Sequence, residues 1–385
     1  MTDRGESGRS STGNLHDTFW GNPSMRNWSR TASELLHRSI DPVYGPEART
    51  LVEGTTALVT GAGGSIGSEI VRQLHKLGVA EVYFLDKDEY SLYRLQQEIA
   101  GIGLLDDRHY ILADVANRSL LMQIMEVVQP DLVFHAAAHK HLPLLEKSPA
   151  AAIITNVRGT ENVIETSIAV GVQRVINIST DKAAAPRSVL GMSKRLGELI
   201  AASRVGSDTR IASVRFGNVL GSRGSFLETL DLQVAAGRAV TVTHPDVTRY
   251  FMTIPEAAAL VIEAGVLAQS GETYVLDMGE PIRILDVIER FARLVGIKTP
   301  EIVYTGLRPG EKLHEELYDP TEPLSGTRHP RISKVHVEGY AHRHAILWDD
   351  ANELYRSVRL GMSPHELYNE MARLININTS AEVYA

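Results

Sequence analysis

One stretch, residues 58–69, constrains the fold most strongly, because an apolar run of strand type passes through a glycine-rich turn directly into a segment with helical periodicity. Gly61, Gly64 and Gly67 recur at every third position, which permits a tight turn, close approach of the backbone to a pyrophosphate and close packing of helix on strand. The unpaired amides at the start of the helix would face the phosphates. We therefore predict a dinucleotide-binding βαβ unit whose cofactor-binding residues are Gly61, Gly64, Ser65, Ile66 and Gly67.

A second apolar run, residues 82–85, ends at Asp86, about twenty residues beyond the turn. A carboxylate there can accept hydrogen bonds from the ribose diol of adenosine and repels a 2′-phosphate. We therefore predict NAD as the cofactor and place Asp86 and Lys87 in its site, with NADP as the alternative because Lys87 is a cation. Glycines alone would also fit an ordinary turn, but the order strand, loop, helix, strand and acid favours the nucleotide site.

Composition narrows the class of protein. A chain of 385 residues can bury a large core as one long α/β domain or two joined lobes, and its 43% hydrophobic and 22% charged residues are ordinary for a soluble globular protein. The net charge of -8 argues against nucleic acid as a partner. The absence of cysteine excludes disulfides and thiolate chemistry and agrees with a cytoplasmic enzyme. No apolar run approaches about eighteen residues, so we predict no membrane span.

The chain alternates strand-type runs with segments of helical period, which is typical of a parallel sheet covered on both faces. The fold class is therefore α/β, a Rossmann-like doubly wound parallel sheet with a smaller C-terminal substrate-binding lobe. Residues 1–50 are predicted to be a partly disordered extension with a short helix after a capping box at 31–34. The NAD(P)-binding domain is assigned to 51–216 with a return of about 272–296, and the smaller lobe with C-terminal helices to 217–385. Further strands are predicted at residues 110–113, 132–135, 175–179, 211–216 and 273–276.

The third and fourth strands carry candidate cofactor contacts at their carboxyl ends, the edge where open α/β sheets bind ligands. Asp114 closes the third strand, with Val115 after it, and its carboxylate can meet an adenine amino group; a cap for the next helix is the alternative. The fourth strand runs into three alanines that leave room for a cofactor against the backbone. They are Ala136, Ala137 and Ala138.

Three histidines surround these alanines: His135, His139 and His141, with Lys140 between the last two. We reject a metal site, because the cluster lies at a turn without accompanying carboxylates. Lys140 is assigned to the substrate, with a solvated surface lysine as the alternative.

The fifth strand ends in Thr180, Asp181 and Lys182, the chemically densest stretch of the chain. A hydroxyl, a carboxylate and an amine in succession at the carboxyl edge of a sheet can contact one bound substrate. A capping threonine followed by solvated charges is the alternative. Lys194 opens the next helix.

Seven segments carry a family resemblance, in the order GGSIGSE at 63–69, HAAAHKH at 135–141, STDKA at 179–183, RFGNVLGSRGS at 215–225, THP at 243–245, TRYFM at 248–252 and RPGEK at 308–312. Together they resemble the extended short-chain dehydrogenase/reductase superfamily and, more narrowly, the capsule and surface-glycan family of UDP-N-acetylhexosamine 4,6-dehydratases. The resemblance covers about residues 40–335. Members often carry amino-terminal membrane helices. Because no such helix is predicted here, this chain resembles a soluble form.

The resemblance implies an internal redox reaction on a nucleotide sugar. Oxidised NAD takes hydride from C4 of the sugar, water leaves across C5 and C6, and the hydride returns to C6. Carried over by position, Thr180 would hydrogen-bond the C4 oxygen, Asp181 would protonate the departing C6 hydroxyl and Lys182 would take the C5 proton. Lys194 would bind the nicotinamide ribose and favour C4 oxidation through its positive charge. Because a lysine base must be neutral, we expect burial and neighbouring cations to lower the pKa of Lys182.

The chain departs from the superfamily at Leu190, four residues before Lys194, where a tyrosine normally deprotonates the C4 hydroxyl. Some dehydratases of the family carry methionine there, so an apolar residue is compatible with the reaction. The acceptor of the C4 proton stays open between Lys182, Asp181 and a water held by Thr180, and an inactive or altered enzyme is the other interpretation.

Past residue 216 the sequence favours substrate binding. Asn218 and Arg223 occupy a glycine-rich loop that can lie along a diphosphate, while Arg249 and Arg308 supply planar donors for phosphate oxygens. Glu311 follows Arg308 in the same motif and joins the predicted substrate site. A surface ion pair is the alternative for each arginine.

The leading hypothesis is a 4,6-dehydratase acting on a UDP-N-acetylhexosamine, with UDP-N-acetylglucosamine as the first candidate. An epimerase or 5,6-dehydratase that shares the 4-keto chemistry is the enzymatic alternative, and a catalytically silent nucleotide-sugar binding protein is the non-enzymatic one. The intact hydroxyl, carboxylate and lysines argue against silence. Because members of the family associate, we also expect a homo-oligomer.

Overall fold

The computed structural model describes residues 32, 34–36, 44–335 and 344–375. Each strand predicted above is present within one or two residues of its expected ends. The strands are β1 (Thr56–Thr60), β2 (Glu81–Asp86), β3 (Tyr110–Leu112), β4 (Leu132–His135), β5 (Arg174–Ile178), β6 (Arg210–Arg215), β7 (Asn218–Leu220), β8 (Val240–Val242), β9 (Thr248–Arg249), β10 (Phe251–Thr253), β11 (Thr273–Leu276), β12 (Ile282–Arg283), β13 (Ile302–Tyr304), β14 (Leu324–Gly326) and β15 (Ile332–Val335).

Helices alternate with the strands through the first half of the chain. The helices are α1 (Pro46–Val52), α2 (Ser65–Leu77), α3 (Glu89–Ala100), α4 (Arg118–Val128), α5 (Leu142–Lys147), α6 (Pro149–Ala152), α7 (Gly159–Ala169), α8 (Val189–Ala202), α9 (Phe226–Ala235), α10 (Ile254–Leu267), α11 (Ile284–Leu294), α12 (His344–Arg359) and α13 (Pro364–Leu374). A π-helical turn, Ile153–Arg158, joins α6 to α7.

Within the described residues, nine strands form one sheet in the order β3-β2-β1-β4-β5-β6-β11-β15-β14. Every neighbouring pair from β3 to β11 is parallel, whereas β15 and β14 are antiparallel additions at one edge. The chain winds outward in both directions from β1 and β4. This doubly wound topology confirms the predicted fold class, and its switch point between β1 and β4 opens a crevice at the carboxyl edge of the sheet.

Both faces of the sheet are buried. In β1, Ala57 and Val59 face one apolar cluster and Leu58 faces the other. Helices α1, α2, α3 and α10 bury apolar side chains in the first cluster, and α4, α7, α8 and α13 do so in the second. Coverage on both sides explains why the strands read as continuous apolar runs rather than as alternating ones.

A third apolar cluster forms the core of the smaller lobe, which contains α9, α11 and three two-stranded sheets. The apolar face of α11, including Val287 and Phe291, packs there and not on the nucleotide-binding domain to which we assigned residues 272–296. The return to the nucleotide-binding domain therefore begins with α10 and β11 and continues later with β15 and β14. Helices α12 and α13 pack on the nucleotide-binding domain, because Leu354 and Tyr368 enter its second cluster.

Part of the predicted short helix near the amino terminus lies within the described residues. Ala32 and residues 34–36 are helical, and Ala32 and Leu35 pack in the core of the smaller lobe. Residues 1–31 of the predicted extension lie outside the described residues. No helix in the described part of the chain is long and apolar enough to cross a membrane.

A buried network of four charged side chains joins the sheet to the segment before β14. Arg215, fully buried at the end of β6, donates to Glu198 through two bonds of 2.7 Å and to Glu322 through bonds of 2.6 and 3.0 Å. Arg195 donates to the same two carboxylates at 3.2 and 2.6 Å. Ser179 Oγ donates to Glu198 at 2.6 Å, so the network reaches the end of β5.

We expect Arg215→Met to lower the free energy of unfolding by about 3–5 kcal/mol, because two buried carboxylates lose their main partner. Chemical denaturation at neutral pH measures the change. Arg210→Met, at the exposed start of the same strand, is the matched control and should shift stability by less than about 0.5 kcal/mol. Equal stability of Arg215→Met and the unaltered protein would contradict the prediction.

Candidate active site

Two adjoining cavities lie at the carboxyl edge of the sheet. The smaller, of about 210 Å³, is lined by residues at the ends of β2, β3 and β4. The larger, of about 740 Å³, is lined by residues after β4, β5 and β6 and by loops of the smaller lobe. Four residues line both cavities: Gly64, Ala136, Ala138 and His139. A ligand as long as a dinucleotide can therefore extend from one cavity into the other over a common floor.

The glycine-rich loop has the backbone geometry that a pyrophosphate site needs. Gly61 has a φ of +67°, and a Cβ there would lie 2.6 Å from the backbone nitrogen of Ala137. At Gly67, a Cβ would lie 2.2 Å from the carbonyl oxygen of Gly61. Among the described residues no side chain caps the start of α2, which leaves the amides of its first turn for an anion. The loop thus fits a dinucleotide in the way the glycine spacing predicts.

Asp86 lines the smaller cavity at the end of β2. Its carboxylate accepts the backbone N–H of Gly63 at 2.9 Å and that of Asp88 at 3.0 Å, so it is held in place beside the glycine-rich loop. Lys87 also lines this cavity, and its Nζ lies 3.2 Å from His139 Nε2. Both residues therefore lie at the end of the smaller cavity beside β2.

Asp114 and Val115 line the same cavity after β3. The alternative interpretation of Asp114 as a helix cap is wrong, because Asn117 caps α4 by accepting the N–H of Leu120. Asp114 accepts the N–H of Ala116 at 2.9 Å, which orders the turn.

Thr180, Asp181 and Lys182 form one hydrogen-bonded group after β5. The Thr180 hydroxyl donates to Asp181 Oδ1 at 2.8 Å, and Lys182 Nζ donates to the same oxygen at 3.0 Å. Asp181 is fully buried; its Oδ2 has no hydrogen-bond partner among the described residues, and a Cβ at Gly217 would lie 2.8 Å from it. Thr180 and Lys182 line the larger cavity, whereas Asp181 does not.

Sequence reasoning missed Glu315, a second carboxylate beside Lys182. The Glu315 side chain is 3% exposed, and its Oε1 lies 3.4 Å from Lys182 Nζ and 3.8 Å from Arg249 Nε. Its Oε2 has no hydrogen-bond partner within the part of the chain that the structure describes. No pattern in the sequence connects this glutamate to a lysine so far away along the chain.

The environment of Lys182 differs from the expected one. Burial lowers the pKa of Lys182, but the carboxylates of Asp181 and Glu315 outweigh burial and raise the pKa above its ordinary value. The expectation that neighbouring cations lower this pKa is therefore wrong, because two buried anions lie closest to the ammonium group. In this arrangement Lys182 is protonated at neutral pH.

The lysine whose pKa is lowered is Lys194. Burial lowers its pKa to about 8, although Glu198 acts in the opposite direction. The side chain is 6% exposed and lines the larger cavity together with Leu190, one helical turn earlier. Helix α8 begins before both residues, with Ser188 as its cap, so Lys194 lies inside the helix and not at its opening. Leu190 offers no proton acceptor.

His135 is a buried core histidine. Its Nδ1 lies 2.7 Å from Thr60 Oγ1 and its Nε2 lies 3.0 Å from Thr160 Oγ1. Thr160 donates its hydrogen to the carbonyl oxygen of Asn156, so Nε2 carries the histidine proton. Burial, reinforced by Lys194, lowers the pKa of His135 to about 3, and the ring is neutral.

Asn156 is a second residue that sequence reasoning missed. It stands in the π-helical turn, where its Oδ1 accepts the N–H of His139 at 2.8 Å and its Nδ2 donates to the His139 carbonyl oxygen and to Ser193 Oγ, both at 3.0 Å. These bonds tie the cavity floor to α8. Turns of this type frequently occur at functional sites.

Of the six residues assigned to the substrate, four line the larger cavity: Lys140, Asn218, Arg223 and Arg308. Arg249 and Glu311 line neither cavity. Arg249 donates to two backbone carbonyl oxygens and, at 2.8 Å, to Glu311, which also accepts the N–H of Arg308 at 3.3 Å. Arg249 therefore supports the loop that carries Arg308, because its donors are engaged within the protein. The sequence had suggested instead that Arg249 contacts a phosphate.

Comparison with known proteins adds an independent finding. The family model described as polysaccharide biosynthesis protein matches residues 57–337. Capsular polysaccharide biosynthesis protein CapD of Staphylococcus aureus is 44% identical over 335 residues, which is 85% of this chain, and probable polysaccharide biosynthesis protein EpsC of Bacillus subtilis is 44% identical over 306 residues, 78% of the chain. The chain spans 56% and 51% of the lengths of these two proteins. A UDP-glucose 4-epimerase of Rickettsia rickettsii is 33% identical over 276 residues, covering 69% of this chain and 78% of that protein.

Solved structures share the fold. Pen from Bacillus thuringiensis matches with a TM-score of 0.68 and 32% identity, over 75% of this chain and 90% of that one. A double mutant of DesIV, a dTDP-glucose 4,6-dehydratase from Streptomyces venezuelae with NAD and DAU bound, matches with a TM-score of 0.59 and 20% identity, over 68% of this chain and 88% of that one.

We expect Glu315→Gln to lower the pKa of Lys182, because one of the two carboxylates that stabilise the ammonium form becomes neutral. The pH dependence of amine acetylation at Lys182, followed by mass spectrometry, measures the shift. Glu316→Gln is the matched control, since Glu316 is 49% exposed and pairs with Lys312. This variant should leave the pKa of Lys182 unchanged. An identical pH profile in Glu315→Gln and Glu316→Gln would show that Glu315 does not act on Lys182.

Proposed function

The chain belongs to the polysaccharide biosynthesis protein family, and we propose that it is an NAD-dependent nucleotide-sugar 4,6-dehydratase that acts on a UDP-N-acetylhexosamine, with UDP-N-acetylglucosamine as the first candidate. The observation that carries this proposal is the placement of Thr180 and Lys182 in the larger cavity, both hydrogen-bonded to Asp181. This cavity continues into the smaller one beside the glycine-rich loop. A hydroxyl, a proton-sharing pair and a cofactor on one floor are what an internal oxidation followed by elimination requires.

The cofactor would be held by the glycine-rich loop, by Asp86 and Lys87 at the ribose side, and by the residues after β3 and β4. When bound, it supplies the acceptor for the hydride of sugar C4 and later the donor for C6. The chain's own residues move the protons. The DesIV dehydratase, which shares the fold and holds NAD in its solved structure, supports this choice of cofactor.

The Asp181–Lys182 ion pair supplies the acid and the base for elimination. Transfer of one proton from Lys182 to Asp181 converts the ion pair into a neutral amine and a carboxylic acid without any net change of charge. The amine then takes the C5 proton while the acid gives its proton to the departing C6 hydroxyl, which leaves as water and restores the ion pair. When C6 gains the hydride, the Lys182 ammonium gives a proton to C5 and regains one from solvent. Exclusion of water by bound substrate favours the neutral pair, because burial disfavours charged forms.

Thr180 completes the route to the leaving group. Asp181 lines neither cavity, but the Thr180 hydroxyl both lines the larger cavity and contacts Asp181 Oδ1. We assign Thr180 the relay of the proton from Asp181 to the C6 oxygen as well as a hydrogen bond to the sugar.

Lys194 is assigned as the acceptor of the C4 hydroxyl proton, in place of the tyrosine that Leu190 replaces. Its pKa of about 8 leaves part of the population neutral near physiological pH, which is the range in which a general base works best. The ammonium form that results then stabilises negative charge at the C4 oxygen.

Arg308 and Asn218 are assigned to the nucleotide sugar. Both line the larger cavity, and Arg308 is exposed on a loop that Arg249 and Glu311 hold. A planar guanidinium suits two phosphate oxygens of the diphosphate.

A UDP-sugar epimerase is the second candidate, supported by the identity to the Rickettsia rickettsii UDP-glucose 4-epimerase. The two reactions differ in whether water is lost. They share C4 oxidation, so the product distinguishes them and the presence of reduced cofactor does not.

Incubation of the full chain with UDP-N-acetylglucosamine and NAD in deuterated water should give a product lighter than the substrate by one water, apart from the mass of incorporated deuterium, with deuterium at C5. Mass spectrometry and proton NMR measure both features. A product of unchanged composition with inverted stereochemistry would replace the dehydratase proposal by the epimerase.

We expect Lys182→Met to separate oxidation from elimination. If Lys182 removes the C5 proton, the variant should still develop the absorbance of reduced cofactor with substrate, yet neither lose water nor exchange deuterium into C5. Asp181→Asn should retain some C5 exchange while water loss slows by roughly 10²–10⁴, the contribution typical of general acid catalysis. Full dehydration by Lys182→Met would refute these roles, and loss of its reduced-cofactor absorbance would reassign the C4 proton from Lys194 to Lys182.

A further inference from the structure

The loop at residues 221–225 joins β7 to α9 in the smaller lobe, yet its residue Arg223 forms three hydrogen bonds with the nucleotide-binding domain. The backbone N–H of Arg223 donates to Ser65 Oγ at 3.0 Å, and its guanidinium Nη1 donates to Ser91 Oγ at 3.1 Å. Lys140 Nζ donates to the carbonyl oxygen of Arg223 at 2.6 Å. Three different segments of the first domain, at α2, at α3 and after β4, therefore hold one residue of the second.

These anchors lie at the junction of the two cavities. Ser65 lines the larger cavity and Ser91 lines the smaller, so Arg223 connects one with the other. The floor below is the shared set that includes Gly64 and Ala138. A dinucleotide that occupies both cavities has to cross this junction. The glycine-rich loop then lies on one side of the dinucleotide and the loop at residues 221–225 on the other.

We propose that Arg223 and Lys140 together retain the bound dinucleotide, and we call this pair the clasp. In this proposal the loop at residues 221–225 closes over the cofactor, whereas the sequence suggested that it binds the substrate. The inference rests on the proposed cofactor.

Hydrogen-bond capacity supports a clasp that is compatible with bound cofactor. Ser65 accepts the Arg223 N–H, and its own hydroxyl hydrogen remains available for a phosphate oxygen at the start of α2. Ser91 donates to Asp88 and accepts from Arg223, so the guanidinium is fixed through the cap of α3. Arg223 and Lys140 bring two cations to the path of a pyrophosphate that carries two negative charges.

The close fit of the loop depends on Gly224. Its φ is +66°, and a Cβ there would lie 2.5 Å from the His141 ring. A side chain at this position would therefore strain the backbone and displace either the His141 ring or the loop.

A clasp of this kind suits a reaction in which the cofactor ends each cycle unchanged. Such an enzyme gains nothing from exchanging its dinucleotide between turnovers, whereas substrate and product have to enter and leave. Retention by the second lobe would keep the two processes separate.

The test is the rate at which labelled NAD, loaded on the full chain, exchanges with excess unlabelled NAD, together with the dinucleotide content of the purified protein. We expect Arg223→Gln and Lys140→Met each to accelerate NAD loss about ten- to hundred-fold. This is the change in rate expected when hydrogen bonds to a charged group are lost. Arg238→Gln, an exposed arginine elsewhere in the same lobe, is the matched control and should exchange like the unaltered protein. Because Arg223 is itself exposed, its replacement should leave the melting temperature of the cofactor-free protein nearly unchanged.

The outcomes separate the clasp from the cofactor assignment. Faster exchange in both clasp variants, with the control unchanged, supports the proposal. Unchanged exchange in Arg223→Gln overturns the clasp alone, and slower exchange or tighter binding overturns it in favour of a loop that competes with the cofactor. If the unaltered chain binds neither NAD nor NADP, the proposed cofactor itself fails, and the clasp fails with it.

Discussion

The close approach of two backbones, at Gly61 and at Ala136–Ala137, is the contact on which the rest of the site depends. A Cβ at Gly61 would lie within 2.7 Å of that backbone, so side chains are excluded where β1 and β4 end. The two cavities consequently share a floor at the switch point of the sheet. A cofactor and a substrate that occupied the two cavities would meet over this floor.

Charge distribution gives the two cavity lysines opposite properties. Lys182 lies against two buried carboxylates that raise its pKa, whereas burial of Lys194, with Glu198 engaged chiefly by arginines, lowers its pKa to about 8. One lysine therefore shares a proton with a neighbouring acid, and the other can lose a proton near neutral pH. In the proposed mechanism, Lys194 takes over the proton transfer that Leu190, which occupies the position of the usual tyrosine, cannot perform.

Local patterns were sufficient for the sheet, the glycine-rich loop and the strand-end residues. The placement of Gly61, Asp86 and Thr180 at strand ends could be predicted because a strand, a turn and a helix each impose a short-range periodicity that a sequence displays directly. The same reasoning failed for α11, whose amphipathic pattern shows that one face is buried without showing which core buries it. It also failed for Arg249, because a sequence does not show which acid will engage an arginine.

What the sequence by itself determined is the doubly wound fold, the cofactor loop and the chemical types of the residues at the ends of the strands. Only the tertiary structure decided which of these residues face a cavity, which carboxylate lies beside Lys182, and that Arg223 bridges two domains. The physical reason is the distance along the chain over which each interaction acts. Helix and strand preferences act over a few residues, whereas a pKa or a hydrogen bond depends on groups such as Glu315 that come within about 4 Å through folding alone.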